Sequence, residues 1–231
     1  MQLAIDTSTG TASVALVRDD EVLAELTWQC GQNHSVELLP RLNRLLSQAE
    51  LSLQSASCII VAKGPGSFNG LRVGVSTAKG LAFSLGIPLV GVSTLEAVAY
   101  QHSETGLPVC PIFDAGRGEV ATALYQMQDG VWRRLVAEHL TTAEDLCAEI
   151  TKKTVFCGEF IPSIAERLKR HLRQKAIIPS SAARLRRAVF LAELGQQRLK
   201  TGDYDSPATL QPIYLRRPHI TKPRREWRQN G

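Results

Sequence analysis

No apolar run in this sequence approaches the ~20 residues that cross a bilayer. The N-terminal stretch MQLAIDTSTG also lacks the basic and long apolar regions of a secretory signal. Both absences point to a chain that works in the cytoplasm, with no membrane partner. The five cysteines, Cys30, Cys58, Cys110, Cys147 and Cys157, are odd in number, widely spread and never spaced C-x-x-C. They give no sign of a disulfide framework or a zinc ribbon and read as reduced, packed thiols. His34, His102, His139, His171 and His219 never take the H-E-x-x-H or H-x-x-x-H spacing that sets two metal ligands on one helix face. No metal site is expected, and a metalloprotease reading fails on this point. A G-x-S-x-G elbow and a phosphate loop closing in Gly-Lys-Ser/Thr are missing too, so no catalytic residue is nominated.

What remains is an ordinary globular composition. Hydrophobic residues are 44% and charged residues 21% of 231, enough for one large or two small domains. Charge is unevenly placed: residues 1–115 carry a net −4 and residues 116–231 a net +9. The end is the extreme case, with Arg216, Arg217, Lys222, Arg224, Arg225 and Arg228 against Glu226 alone. This run reads as a basic, flexible tail over 216–231, or as an arm for RNA phosphates or an acidic protein partner, although only Trp227 offers a stacking ring.

Periodicity supplies the elements. Gln2–Asp6 and Thr11–Val17 are β-rich runs about a polar turn, Thr7–Gly10, and the alternation of Glu21–Trp28 adds a third antiparallel strand. From Ser35 to Ala49, Leu38, Leu39, Leu42, Leu45, Leu46 and Ala49 fall on one broad apolar arc of a helix, with Pro40 either near its start or bending it. Cys58–Ala62 is a buried strand, Lys63–Gly70 a Gly/Pro loop, Leu71–Leu85 a helix and Pro88–Val92 a strand, followed by a helix capped at Ser93-Thr94. The pattern then begins again. Aligned without a gap, Ala4–Leu16 and Ile112–Leu124 pair Asp6 with Asp114 and Gly10 with Gly118. Behind the second hairpin come a strand at 131–137, a helix at 142–152, a strand at 155–157, a helix at 161–172, a strand at 176–178 and a helix at 182–200. Two β-β-β-α-β-α units side by side leave a cleft between them, the default place for a ligand.

Asp6, Thr7 and Ser8 could hold a hydrated Mg²⁺ and a phosphate in that cleft, or Asp6 could simply be satisfied by its own turn. Asp114 lies in the matching turn with Arg117, which could bind an anion or pair locally. The loop Gly64-Pro65-Gly66-Ser67-Phe68-Asn69-Gly70 precedes a helix and is either an anion site or a tight cap. Along that helix Gly70, Gly74, Ala78 and Ala82 recur every fourth residue, a stripe that lets another helix come close, from this subunit or from a partner. His34 is a surface histidine, a cap or a partner contact.

The segments LAIDTSTGTASVAL, KGPGSFNGLRVGVSTAKGLA, PLVGVSTLEA, DAGRGEVATALY and LQPIYLR together resemble the bacterial TsaB (YeaZ) family of the tRNA threonylcarbamoyladenosine system. The resemblance covers most of residues 1–126 and 210–216. It implies an α/β fold of the ASKHA superfamily (actin, Hsp70, sugar kinases), built of two RNase H-like units, here 1–104 and 105–215, with an interdomain cleft. The implied role is that of a non-catalytic activating partner of a TsaD-type transferase, working with a TsaE-type ATPase on the adenosine beside the anticodon of tRNA. Pairing in the family, as heterodimer or as homodimer when alone, uses helices matching 33–49 and 71–85, which nominates His34, Leu38, Leu39, Leu42, Leu46, Gly70, Arg72, Gly74, Ala78 and Ala82. Ala78→Arg is then expected to break pairing and spare the fold. The superfamily implies ATP or ADP with Mg²⁺, here held weakly or shared with the partner, since its Asp-x-Gly motif reads Asp6-Thr7-Ser8. Asp6, Thr7, Ser8, Gly64, Gly66, Asp114 and Arg117 are the nominated cleft residues. The rival reading is an ATP-dependent kinase or ATPase that uses Asp6 and Asp114. Contact with tRNA runs through the partner or through the basic tail.

Overall fold

The first three strands form where alternation puts them, in a computed structural model that describes residues 1–216. β1 (Gln2–Asp6), β2 (Thr11–Arg18) and β3 (Glu21–Gln29) make an antiparallel meander in which Leu3 faces Leu16 and Asp6 faces Ser13. β4 (Cys58–Ala62) joins the free side of β1 in parallel, and β5 (Leu89–Val92) follows it. Parallel neighbours need crossovers, and these are α1 (His34–Gln48) and α2 (Phe68–Leu85), with α3 (Thr94–Tyr100) leading out. The strand order is β3-β2-β1-β4-β5.

The second unit repeats it. β6 (Val109–Gly116), β7 (Glu119–Gln128) and β8 (Val131–Thr142) form the meander, β9 (Thr154–Cys157) pairs in parallel with β6, and β10 (Ala176–Ile177) with β9. Its crossovers are α4 (Ala143–Glu149) and α5 (Ile161–Leu172), and α6 (Ala188–Lys200) leads out. Read from its far edge the order is β8-β7-β6-β9-β10, the order of the first sheet. The duplication suggested by two short hairpins therefore extends to the whole topology, as the ASKHA-type α/β reading requires.

Each sheet is covered on both faces, so its central strands are apolar throughout rather than alternating. In β1, Leu3 and Ile5 pack with Leu38, Leu42, Val75 and Ala78 of α1 and α2, while Ala4 points the other way, with Ala15 and Ile60, onto Val189 and Ala192 of α6. Here α6 approaches closely: a Cβ on Gly195 would lie 2.6 Å from the Ile60 side chain. In the second sheet Cys110 and Ile112 pack on Leu146, Ile161 and Leu168 of α4 and α5, and Phe113 and Tyr125 pack on Leu95, Val98 and Ala99 of α3. The last helix of each unit thus covers the other unit's sheet. This exchange makes the junction between the units a shared core.

Several extents differ from the sequence reading: α2 begins at Phe68 rather than Leu71 and α4 ends at Glu149 rather than 152, and three further differences have a plain physical setting. α1 begins at His34, which leaves Pro40 inside it. The carbonyl deprived of its donor is that of Val36, a residue 68% exposed, where water can serve instead. β8 runs on to Thr142, whose hydroxyl caps α4 by accepting from Asp145 N at 3.1 Å. The helix expected over 182–200 breaks instead, into a short 3-10 turn at Ala182–Arg184 and α6 from Ala188. Leu185 and Arg187 are extended, and Arg186 between them turns inward, for a reason that lies in the first hairpin.

Candidate functional site

Asp6 ends β1 and is 2% exposed. Its Oδ1 accepts from Ser8 N at 2.9 Å and Ser8 Oγ at 2.6 Å, and its Oδ2 from Arg186 Nη1 at 2.7 Å. Arg186 is itself 3% exposed. Its Nη1 also reaches Ser8 Oγ at 2.7 Å, its Nε donates to Glu159 at 3.0 Å, and its guanidinium lies 5.0 Å from the Phe113 ring centre. Glu159 in turn accepts from Thr9 Oγ1 at 2.8 Å. The nearby carboxylates push the Arg186 pKa up, against the opposing effect of burial. A charged pair out of water is tolerated only when it is well hydrogen-bonded; here Nε and Nη1 are satisfied while Nη2 is buried without a partner, and the pair joins the first hairpin to the segment before α6. Sequence reasoning missed Arg186. Within the run Arg184-Leu185-Arg186-Arg187 nothing marks it as the buried one.

The Gly-rich loop closes the turn from the other side. Ser67 N donates to Ser8 O at 2.6 Å, and Thr7 Oγ1 to Gly70 O at 2.7 Å. A Cβ on Gly66 would lie 2.2 Å from Ser8 O, one on Gly70 2.1 Å from Thr7 O, and one on Gly74 2.3 Å from Thr7 Oγ1. These three glycines are therefore required by the approach of α2 to the β1–β2 turn. His34 belongs to the same cluster: 3% exposed, with its Nε2 2.6 Å from Thr9 O. Gly64, at φ +106, faces the C-terminal segment, where a Cβ would meet Ile213 O at 2.6 Å.

The second turn is different. Asp114 is exposed and accepts from Gly116 N at 2.8 Å, and Gly116, Arg117 and Gly118 all have positive φ. Asp114 borders a cavity of about 290 Å³ with Thr9, Gly66, Ser67, Glu159 and Phe160, so the two turns do share a cleft, with Asp6 sealed beneath it. Arg117 is exposed at the tip of its turn. A larger cavity, about 600 Å³, lies elsewhere along the junction and includes Lys63, Ser93, Glu96, Trp132, Glu138 and Arg198. There burial, and then the Glu138 carboxylate, push the Glu96 pKa up. None of the nominated cleft residues borders it.

The nominated helix residues divide sharply. His34, Leu38, Leu42 and Leu46 of α1 and Gly70, Gly74, Ala78 and Ala82 of α2 are buried in their own subunit. Only Leu39, 47% exposed, and Arg72, stacked 3.9 Å over the Phe68 ring, reach solvent. The apolar arc and the small-residue stripe face the first sheet. A buried side chain cannot meet a partner, and an arginine at Ala78, which is 0% exposed, would disrupt the fold before any pairing. The outward faces instead carry Val36 (68% exposed), Leu39 and Pro40 on α1 and Gly80 and Phe83 (83% exposed) on α2. Of the basic run, Arg216 donates to Ala115 O and pairs with Glu119; the residues after it lie outside the described ones.

Comparison with known proteins places the chain. Residues 28–221 match the family model described as TsaD, tRNA N6-adenosine threonylcarbamoyltransferase. The tRNA threonylcarbamoyladenosine biosynthesis protein TsaB of Bacillus subtilis is 37% identical over 217 residues, 93% of either chain. The structure of YeaZ from Pseudomonas aeruginosa superposes with a TM-score of 0.80 at 28% identity, covering 93% of this chain and 99% of that one. A ROK hexokinase from Thermus thermophilus shares the fold alone, at TM-score 0.52 and 10% identity over 86% of this chain and 99% of that one.

Proposed function

This chain belongs to the TsaB family and serves in tRNA threonylcarbamoyladenosine biosynthesis, and from that premise we propose that it does so without chemistry of its own, as the activating subunit of a TsaD-type transferase. The observation that carries this reading is the state of Asp6. Both of its oxygens are committed, one to Ser8 and one to Arg186. ATP or ADP with Mg²⁺ does not fit that turn, because the place of the cation is held by a guanidinium and the backbone approach by Gly66 and Gly70. His34, nominated as a partner contact, is instead bound to Thr9 O, and burial pushes the His102 pKa down.

What the chain offers a partner is the outer surface of α1 and α2. Val36, Leu39, Pro40 and Phe83 are large apolar side chains in water, and Gly80, three residues before Phe83 on α2, has open space where a Cβ would be, so a partner helix could approach the backbone there. Docking on this face would order the transferase for threonylcarbamoyl transfer. The same face serves for a homodimer when the partner is absent, and the TsaE-type ATPase and tRNA are reached in the assembled complex.

A drop-out reconstitution tests the role. tRNA, threonine, bicarbonate, ATP and the partner proteins are combined with or without this chain, and modified adenosine is read by mass spectrometry. Loss of product in its absence is expected. Undiminished product would overturn the activating role and favour the rival kinase or ATPase reading.

A further inference from the structure

Six exposed cations of the second unit lie together at one end of its sheet. β9 and β10 are parallel neighbours with Ala176 opposite Thr154, so the residues just before them, Lys153 and Lys175, sit side by side, about 5 Å apart along the backbone. The connections feeding the two strands enter at that end. One brings Lys152 and Lys153 from α4, the other Lys169, Arg170, Arg173 and Lys175 from α5. All six side chains are exposed, and among the described residues none has a carboxylate within ion-pair distance. The C-terminus of α5 favours cations at Lys169 and Arg170, but Lys152, Lys153 and Lys175 lie beyond any helix end, and no fold contact accounts for them. An unpaired group of cations of this size is a field that attracts a polyanion.

We propose that this edge binds the phosphate backbone of the tRNA substrate. The inference rests on the family's place in tRNA modification and adds to it a contact made by this chain itself. RNA fits better than an anionic lipid surface, because among the described residues no large apolar side chain stands exposed beside these cations to insert into a bilayer. The contact is backbone recognition: it orients the tRNA and carries no sequence preference.

The test compares the full chain with a triple variant, Lys152→Glu, Lys153→Glu and Lys175→Glu. A control variant of equal charge change carries Arg18→Glu, Arg133→Glu and Lys200→Glu. Binding to an unmodified tRNA transcript is followed by fluorescence anisotropy across a salt series. The patch variant is expected to bind at least tenfold more weakly and to flatten the slope of log K against log salt by about 2, from three lost phosphate contacts. In the reconstituted reaction the same variant should raise the KM for tRNA and leave co-elution with the transferase intact. Equal losses in the patch and control variants would overturn the proposal, as would salt-independent binding by the unaltered chain, or transfer of the patch effect to anionic vesicles but not tRNA. A chain that fails to activate the transferase, yet still shows the patch-dependent tRNA binding, would count against the activating role alone.

Discussion

The two β-turn-β hairpins that open the two units share a strand order, an aspartate at or near the end of the first strand and a glycine four residues on, yet they have opposite fates. The turn after Asp6 is buried, roofed by a Gly-rich loop and locked by Arg186 from the far end of the chain. The turn after Asp114 is exposed, and among the described residues its carboxylate accepts from the Gly116 N–H of the same turn. Two units of one architecture thus use equivalent turns differently, one as a structural joint and the other as an exposed loop. The lesson is that an acidic turn is read from its partners, not from its position in a fold.

The comparison can be broken from the buried side first. Arg186→Met strands Asp6 without a counter-charge and should destabilise the chain by about 3–5 kcal/mol in urea denaturation; a loss below about 1 kcal/mol would mean that the pair does not form. Gly66→Ala drives a Cβ into Ser8 O and should cost about 1–3 kcal/mol. In the open turn Gly118→Ala meets nothing within 4 Å, and only its φ of +80° resists the change, so about 1 kcal/mol is expected. Asp114→Asn should stay within about 0.5 kcal/mol. The smallest effect sharpens the contrast between paired and unpaired charge in the junction. Because the folded-state pKa of Glu96 is raised, its ionisation opposes folding: the penalty is absent below the usual carboxylate range and grows as pH rises through and above it. Glu96→Gln should therefore stabilise the protein more at pH 8 than at pH 4, as read by thermal unfolding at the two pH values.

Much of the fold was legible because its signals are local. β1, β4 and α5 run over the residues that apolar periodicity marked, and the repeat of a hairpin foretold two sheets of the same order. What stayed hidden involves direction and distance. Periodicity finds the apolar arc of α1 and the small stripe of α2 but not what they face; both turn inward, and the exposed residues of these helices include Val36, Gly80 and Phe83. Arg186 could not be seen because its partner stands 180 residues away, and the helix expected from residue 182 breaks at the segment that carries it inward. The crossing of α3 and α6 onto each other's sheets is likewise a fact of assembly, with no mark in either helix.

The proposed role is docking, with the turn after Asp6 serving as a structural joint. The most direct measurement is the yield of modified adenosine in the reconstituted system with two variants, Phe83→Asp on the outer face of α2 and Asp114→Asn in the open turn. Both change exposed side chains and should leave the fold intact. Product should fall with Phe83→Asp, together with loss of co-elution with the transferase, and should hold with Asp114→Asn. Product that survives Phe83→Asp and vanishes with Asp114→Asn would contradict the account and return the chemistry to the cleft.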